Sequence, residues 1–404
     1  MSQQTKSRVR TGIEVLLDSR TEILRGLRTA LVCNQASVLS DLSHAADRFF
    51  EHDDINLTAI FGPQHGIRGD VQDNMIETEH TIDARTGLPV FSLYSETREP
   101  TAAMLANVDA IVFDLQDVGC RIYTFIYTMA NCMRAAKAFG KKMIVCDRPN
   151  PIGGIAIEGN ITEDAFKSFV GQFEIPTRHG MTTGELALMF NDFFGIGCDL
   201  EVIAMDGWRR EMWFEETGLP WVLPSPNMPT VETAVVFPAT VHFEGTELSE
   251  GRGTTKPFEI NGAPFIDPYE WKDALDAFGF RGVVFRPTYF RPTFQKYAGR
   301  TCGGVQLHIT DRNSFSPVEV GIAMVKSAFD LYGEHFRWKQ GAYEYVFDKN
   351  PFDVVCGSDR IRKQIEAGVP LSEITAEWEI GLKRFAEDRK PYLLYQTKNV
   401  KQEP

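Results

Sequence analysis

The chain has 404 residues, of which 43% are hydrophobic and 24% are charged. These proportions are typical of a folded globular protein and exclude a disordered, collagen-like or coiled-coil chain. Since 42 basic residues face 55 acidic ones, the formal net charge is −13, which argues against nucleic acid and anionic membranes as partners. At roughly 150 residues per domain, the length predicts two large domains or up to three smaller ones.

Cysteine usage and apolar patterning indicate the compartment. The seven cysteines are scattered and form no Cys-x-x-Cys pair, which is typical of a reducing environment. No apolar run follows the basic N-terminal residues, so no signal peptide is expected. No apolar stretch approaches the roughly 20 residues of a membrane-spanning helix. We therefore expect a cytoplasmic protein with no membrane span.

Short β-branched segments alternate with longer amphipathic segments through the first half of the chain. This alternation predicts an α/β fold whose mostly parallel, Rossmann-like sheet is covered by helices on both faces. The predicted strands are Thr29–Val32, Leu57–Phe61, Val90–Tyr94, Ala110–Leu115, Lys142–Cys146 and Leu200–Met205. The predicted helices are Asp41–Glu51, Pro100–Ala106, Tyr123–Phe139 and Thr183–Phe194.

The second half of the chain has a different pattern. Between about Met205 and Pro268 it is rich in loop-forming residues, and strands and helices resume afterwards. We predict a Rossmann-like domain over residues 10–235 and a smaller α+β domain over residues 236–400. The later elements are strands Gly282–Phe285 and Gly304–Ile309 and helices Pro317–Tyr332, Arg360–Glu366 and Ile374–Glu387.

Polar side chains follow four of the predicted strands, at the sheet edge where open α/β sheets bind ligands. One such loop is ordinary, but four together favour a shared pocket. His65 is the best-placed group for proton transfer near neutral pH. The polar residues at the four strand ends are Asn34, Gln64 with His65, Asp114 with Asp117, and Arg148 with Asn150.

Five arginines lie in tight loops and are candidate contacts for an anionic ligand, since a guanidinium group binds carboxylate or phosphate with two parallel hydrogen bonds. The alternative is that each pairs with a nearby acid such as Asp70, Asp117 or Asp147. We expect at least one of the five to contact an anionic ligand. They are Arg68, Arg121, Arg148, Arg178 and Arg252.

Two further polar residues lie close together near residue 180. Thr182-Thr-Gly-Glu185 has the spacing of a capping box, which assigns Glu185 to a helix start. His179 either faces the pocket or satisfies a turn.

Signatures of several enzyme classes are missing from the sequence. It contains no dinucleotide-binding or phosphate-binding glycine motif, no His-Glu-x-x-His and no Gly-x-Ser-x-Gly. Its histidines and acids are too dispersed to predict a metal site. We expect no cofactor and no metal, and a nucleotide-using enzyme is the weakest alternative.

The segment from His242 to Thr255 combines three carboxylates and one arginine with glycines, where the two domains should meet. Glycoside hydrolysis commonly needs two carboxyl groups across the scissile bond. One could come from Asp114 or Asp117 in the first domain. The other could come from this segment, which contains Glu244, Glu247 and Glu250.

Several segments, in this order, resemble the NamZ-type exo-β-N-acetylmuramidases. Among them are Phe61-Gly-Pro-Gln-His-Gly66, Phe113-Asp-Leu-Gln-Asp-Val-Gly119, Pro224-Ser-Pro-Asn-Met-Pro-Thr230 and Glu244-Gly-Thr-Glu-Leu-Ser-Glu-Gly-Arg-Gly-Thr254. The resemblance implies a cleft between a Rossmann-like domain and a smaller domain. It also implies removal of terminal N-acetylmuramic acid from peptidoglycan fragments, without metal or nucleotide, in peptidoglycan recycling.

The resemblance and the strand-end pattern together give the predicted site. We predict catalytic roles for Gln64, His65, Asp117 and Glu244. The ligand would be a small anionic amino sugar or muropeptide, and its lactyl carboxylate gives the arginines a target. The predicted substrate-binding residues are Asn34, Arg68, Asp114, Arg121, Tyr123, Arg148, Asn150, His179, Asn227, Glu250 and Arg252.

One position departs from the family pattern. Family members usually have Pro-Glu-His-Gly, with the glutamate proposed as catalytic, where this chain has Pro63-Gln64-His65-Gly66. A glutamine amide keeps the shape but cannot exchange a proton near pH 7. Another acid (His65, Asp117 or Glu244) then does the work, or the substrate and chemistry differ, or the protein binds a sugar without hydrolysing it.

Overall fold

The computed structural model describes residues 8–69, 71 and 76–397, and Asp70 lies outside them. The helices are α1 (Gly12–Ser19), α2 (Ala45–Phe50), α3 (Phe125–Ala138), α4 (Thr183–Asn191), α5 (Val231–Thr240), α6 (Pro268–Asp276), α7 (Pro317–Tyr332), α8 (Pro351–Cys356), α9 (Arg360–Glu366), α10 (Leu371–Ala376) and α11 (Trp378–Asp388). The strands are β1 (Arg28–Val32), β2 (Asn56–Gly62), β3 (Thr81–Ile82), β4 (Pro89–Ser92), β5 (Ala110–Phe113), β6 (Lys142–Cys146), β7 (Glu158–Ile161), β8 (Pro176–Arg178), β9 (Asp199–Ile203), β10 (Ile260–Ala263), β11 (Val283–Phe290) and β12 (Cys302–Ile309).

A seven-stranded sheet forms the N-terminal part, in the order β3-β4-β2-β1-β5-β6-β9. Its neighbouring strands are parallel except for the antiparallel pair β3 and β4. The interior strand β5 is buried at every residue, as expected when helices cover both faces of a parallel sheet. The predicted α/β, Rossmann-like architecture is confirmed.

Successive side chains of β1 enter different cores because a strand alternates its faces. Leu31 packs with Ile13 of α1 and Phe49 of α2 on one side of the sheet. Val32 joins the core on the other side, which contains α3 and α4. That second core continues into the C-terminal part, where it includes Trp271. The continuous core holds the two parts together and fixes the cleft between them.

The C-terminal part contains an antiparallel sheet in the order β10-β12-β11, with helices around it. Helix α7 crosses α5 so closely that a Cβ at Gly321 would lie 2.0 Å from the carbonyl oxygen of Ala239. Only glycine fits that crossing. Helix α5 also spans the predicted domain boundary at residue 235, which stays a prediction.

The strands predicted for the first domain all occur, with small shifts at their ends. Three other predictions were wrong. Pro100–Ala106 forms turns, since so short a segment gains little helical stability by itself. Ile374–Glu387 is divided into α10 and α11 at Glu377. Helix α5 lies in a region predicted to be loops, because it is buried almost all round and lacks the helical polar face.

Among the described residues, no helix is both long enough and apolar enough to cross a membrane.

Candidate active site

A cavity lies where the carboxyl end of β2 and the segment before α3 meet the C-terminal part. It contains about 470 Å³ of empty space, part of it open to solvent. Six of the predicted site residues line it: Gln64, His65, Tyr123, Asn227, Glu244 and Arg252. Its wall also includes Thr124, Ser225, Tyr343 and Glu344.

The side chain of Gln64 connects the two parts of the molecule. The hydroxyl of Thr124 donates to Gln64 Oε1 at 2.7 Å, and Gln64 Nε2 donates to Glu344 Oε1 at 3.4 Å. The hydroxyl of Tyr94 donates to Glu344 Oε2 at 2.8 Å. Both Gln64 and Tyr94 follow neighbouring parallel strands, so the sheet aims them at the same carboxyl group.

Glu344 lies in a strained turn. Tyr343 and Val346 exchange backbone hydrogen bonds of 3.1 and 2.9 Å, and the two residues between them, Glu344 and Tyr345, have φ of 45° and 66°. This is a type I′ turn, which favours asparagine and glycine because both central residues are left-handed. Non-glycine residues held in that region are concentrated at functional sites. His65 adopts the same region, with φ of 70°.

Glu344 is buried and forms no ion pair among the described residues, although the charge of Arg98 acts on it. Burial raises the pKa of its carboxyl group, and the charge of Glu244 adds to the rise. The hydrogen bonds from Tyr94 and Gln64 oppose it without cancelling it. The raised pKa favours the protonated form, which can donate a proton.

Glu244 has a contrasting environment. Arg252 Nη2 lies 2.5 Å from Glu244 Oε1, and the hydroxyl of Tyr343 donates to Glu244 Oε2 at 2.5 Å. The ion pair with Arg252 stabilises the charged carboxylate. Burial raises the pKa of Tyr343, with the charge of Glu244 adding to the rise, so this hydroxyl keeps its proton and donates.

A second ion pair supports the first. Arg252 Nε lies 3.2 Å from Glu250 Oε1, and Lys296 Nζ donates to Glu250 Oε2 at 2.8 Å. Burial alone would raise the pKa of Glu250, but Lys296 and Arg252 outweigh it and lower the pKa. Glu250 therefore holds Arg252 in place beside Glu244.

His65 lines the cavity and also contacts the backbone a few residues further along the chain. Its Nδ1 lies 2.7 Å from the carbonyl oxygen of Val71, so Nδ1 carries a proton and donates it to that oxygen. The ring orientation is therefore fixed by the backbone.

Asp117 and His179 form a buried pair that does not line the cavity. Asp117 Oδ2 accepts a hydrogen bond from the backbone N–H of Gly119 at 2.7 Å and lies 3.4 Å from His179 Nε2. The backbone N–H of Met181 donates to His179 Nδ1, so Nε2 carries the ring proton and faces the carboxylate. Catalysis by Asp117 and substrate contact by His179 stay predictions.

The remaining predicted residues lie away from the cavity wall. Arg148 forms a buried two-hydrogen-bond ion pair with Asp114, at 2.6 and 2.7 Å. Arg121 donates to backbone carbonyls, including that of Cys356 at 2.7 Å, and so joins the two parts of the fold. Arg68 is exposed. The contacts of Arg148, Asp114 and Arg121 are thus structural. Contact of any of these residues with the substrate stays a prediction.

Asn34 and Asn150 shape loops around the site. Asn34 Nδ2 donates to the carbonyl oxygen of Pro224 at 2.9 Å, which holds the loop carrying Ser225 and Asn227. Asn150 Nδ2 donates to the carbonyl oxygen of Met181 at 2.9 Å. The two amides thus position the backbone at Pro224 and at Met181.

The polar residues around position 180 include a confirmed capping box and an arginine that pairs with an acid. The capping box is confirmed: the Thr182 hydroxyl accepts from Glu185 N at 3.3 Å, and Glu185 Oε2 accepts from Thr182 N at 3.0 Å. Arg178 forms an ion pair with Glu158 at 2.5 Å.

Tyr343 and Glu344 were missed by the sequence analysis. They lie in an irregular segment between α7 and α8, with no motif around them. Their left-handed turn lacks the asparagine or glycine that would have marked it. No signal in the sequence indicates that this segment reaches the turn after β2.

Among the described residues, no group of three or more His, Cys, Asp or Glu side chains could hold a metal ion. Two carboxyl groups in unlike environments, those of Glu244 and Glu344, line the cavity.

Comparisons with known proteins agree with this architecture. The family description "Exo-beta-N-acetylmuramidase NamZ, N-terminal" matches residues 29–232, and its C-terminal counterpart matches residues 235–395. The chain is 49% identical over 390 residues to the peptidoglycan beta-N-acetylmuramidase NamZ of Bacillus subtilis (strain 168), covering 96% of this chain and 92% of that protein.

Two crystal structures of DUF1343 family proteins from Bacteroides fragilis NCTC 9343 have the same fold. One has a TM-score of 0.87 at 38% identity, covering 96% of this chain and 99% of the other. The second has a TM-score of 0.76 at 31% identity, covering 97% and 100%. Because the two family domains match nearly the whole chain in order, the chain belongs to the exo-β-N-acetylmuramidase NamZ family.

Proposed function

We propose that this protein is a glycoside hydrolase that removes terminal N-acetylmuramic acid from peptidoglycan fragments. The observation that carries the proposal is the pair of carboxyl groups, Glu244 and Glu344, on the wall of one cavity. The named activity of the Bacillus subtilis relative supports the same substrate. Two carboxyl groups in unlike environments are the minimum that most glycosidases need.

Glu344 is the proposed general acid. Its buried carboxyl group keeps a proton to higher pH than an ordinary glutamate, and it transfers that proton to the glycosidic oxygen as the C–O bond breaks. Water then adds its hydroxyl group to the anomeric carbon, and the proton that the water releases restores the acid. Gln64 and Tyr94 position the group by donating to its two oxygens. Glu344 therefore supplies the proton that the amide of Gln64 cannot.

Glu244 is the proposed anionic partner. Positive charge develops at the anomeric carbon in the transition state, and a carboxylate fixed by Arg252 and Tyr343 stabilises it without reorganisation. Asn227 and Tyr123 are proposed to contact the sugar from the cavity wall. For His65 and Gln64, which were predicted to be catalytic, we propose instead that they shape the site and position Glu344.

The experiment is turnover of a chromogenic N-acetylmuramide. The wild-type protein should release the chromophore, and Glu244→Gln should abolish most of the release. A wild-type protein that hydrolyses no N-acetylhexosaminide would exclude the proposal.

The alternative is a muropeptide-binding protein without hydrolytic activity, and Gln64 is the observation that favours it. That protein would bind a muropeptide saturably in calorimetry and form no product. Gln64→Glu would then create turnover that the wild type lacks. Equal turnover by wild type and variant would exclude the alternative.

We further propose that the protein acts in the cytoplasm on wall fragments that have entered the cell, as in peptidoglycan recycling. All seven cysteines are buried and unpaired, which suits a reducing compartment. Fractionation of producing cells would test the location, and recovery of the protein outside the cytoplasm would contradict it.

A further inference from the structure

A second concave surface begins at the proposed acid. We name this surface the arginine groove; it contains about 1070 Å³ of space, open to solvent, and Glu344 belongs to both its wall and the cavity wall. The groove is lined by Arg98, Arg134, Lys167, Phe169, Gln172 and Tyr345. An acid that protonates the leaving group must lie on the side of the bond that leaves. The arginine groove therefore extends along the path of the leaving group, if the proposed function holds.

Arg134 has a charge that its contacts do not neutralise. Its Nη1 donates to Asn131 Oδ1 and Gln172 Oε1, both at 2.7 Å, and both acceptors are neutral amides. Among the described carboxylates, none forms an ion pair with it. Its guanidinium also lies 5.5 Å from the centre of the Phe173 ring. A half-buried cation held by neutral partners is the chemistry of an anion site.

Arg98 lies against two aromatic rings, which meet each other at 72°. Its guanidinium carbon lies 4.4 Å from the centre of the Tyr94 ring and 4.1 Å from that of Tyr345. Its Nη1 donates to the carbonyl oxygen of Ser95 and lies 3.8 Å from Glu77. Its Nη2 is buried, with no hydrogen-bond partner among the described residues. Arg98 therefore adds a positive charge to the groove wall, which Glu77 partly offsets.

Other charges around the groove are largely matched. Lys167 lies 2.7 Å from Asp164 and 3.3 Å from Glu174, so it contributes little net charge. Glu99 is exposed at the edge of the groove. Its charge acts on Arg134, but the hydrogen-bond partners of Arg134 itself are neutral amides.

We propose that the arginine groove binds a carboxylate carried by the leaving portion of the glycan, chiefly through Arg134. Two sources share that chemistry. One is the lactyl carboxylate of a further acid-bearing sugar, and the other is a carboxylate of a peptide attached to that sugar. The protein would then select acidic oligosaccharides over neutral aglycones.

The test measures the affinity of leaving fragments by calorimetry. The ligand is the disaccharide of N-acetylglucosamine β-linked to N-acetylmuramic acid, compared with its lactyl methyl ester and with the disaccharide bearing an alanyl-glutamate peptide. Wild type should bind at least one acidic form about tenfold more tightly than the ester. Preference for only the peptide-bearing form would identify the peptide carboxylate as the ligand.

Arg134→Gln should remove the preference for the acidic form, and Arg134→Lys should keep part of it. Arg25→Gln is the matched control, since Arg25 precedes β1 at the opposite edge of the sheet and its side chain is 66% exposed. Equal affinity of wild type for acids and ester, or an equal loss of both in Arg134→Gln, would overturn the groove proposal.

The two proposals fail separately. The disaccharide has no terminal muramic acid at its non-reducing end, so its binding does not depend on hydrolysis. A retained acid preference without turnover of any muramide would overturn the proposed function alone. Turnover without acid preference would overturn the groove alone.

Discussion

Nε2 of Gln64 lies 3.4 Å from Oε1 of Glu344, although 280 positions separate the two residues in the sequence. The contact joins the turn after β2 to a left-handed turn of the C-terminal part. Tyr94 completes it by donating to the other oxygen of Glu344. The amide of Gln64 thus lies next to a buried carboxyl group with a raised pKa.

Glu344→Gln should lower kcat by roughly 10²–10⁴-fold on an oligosaccharide, because a general acid contributes about that much. The loss should be far smaller on a nitrophenyl muramide, whose leaving group departs without protonation. The measurement is kcat on both substrates. Glu379→Gln, at an exposed position of α11, is the matched control. Equal losses on both substrates would contradict an acid role.

The pH profile should report the same group. Activity should be present below the raised pKa of Glu344 and should fall as the pH rises through it, because the acid loses its proton. Gln64→Glu places a second carboxyl beside the first, and in such a pair one of the two pKa values is raised. The alkaline limb of kcat/KM should then move upward by about one to three units. An unmoved limb would show that Glu344 does not control it.

Arg252→Gln should destabilise the fold by about 3–5 kcal/mol, because it leaves buried Glu244 without its cation. Glu250 keeps Lys296, which limits the damage there. Urea unfolding measures the change. Arg252→Lys should cost less, since it keeps the charge between the two carboxylates. Equal stability of wild type and Arg252→Gln would contradict the buried network.

Asp147 should make stability depend on pH. Burial raises its pKa to about 7, against 3.8 ordinarily, although hydrogen bonds from Tyr395 and Thr182 oppose the rise. The folded chain therefore binds more protons than the unfolded one between about pH 4 and 7. Stability should fall by up to about 4 kcal/mol as the pH rises through that window.

Asp147→Asn should remove this part of the pH dependence, as measured by unfolding at pH 4 to 8. Asp164→Asn is the control, since the side chain of Asp164 is 85% exposed. A slope unchanged in Asp147→Asn would contradict the assignment.

Local patterning predicted much of the fold. Strand β6 and helices α7 and α9 have their predicted bounds, because short apolar strands and amphipathic helices have clear periods. Helix α5 was missed because burial all round removes its period. The confirmed capping box at Thr182 and Glu185 shows that local hydrogen-bonding motifs can also be predicted from the sequence.

The site was only partly predictable. Strand ends identified Gln64 and His65, because the carboxyl edge of a parallel sheet is a general location. Arg121 and Arg148 also follow strand ends, but Arg121 binds backbone carbonyls and Arg148 binds Asp114. The sequence could not predict these partners, because tertiary contacts decide them. Glu344 could not be predicted from the sequence, because its position depends on how the C-terminal part packs onto the sheet.

The most direct test of the central claim is turnover of a chromogenic N-acetylmuramide by the wild-type protein, with Gln64→Glu and Glu244→Gln measured beside it. Wild type should release the chromophore despite its glutamine at position 64, and Glu244→Gln should reduce the release by at least about 100-fold. Release by Gln64→Glu alone, with none by wild type, would contradict the claim.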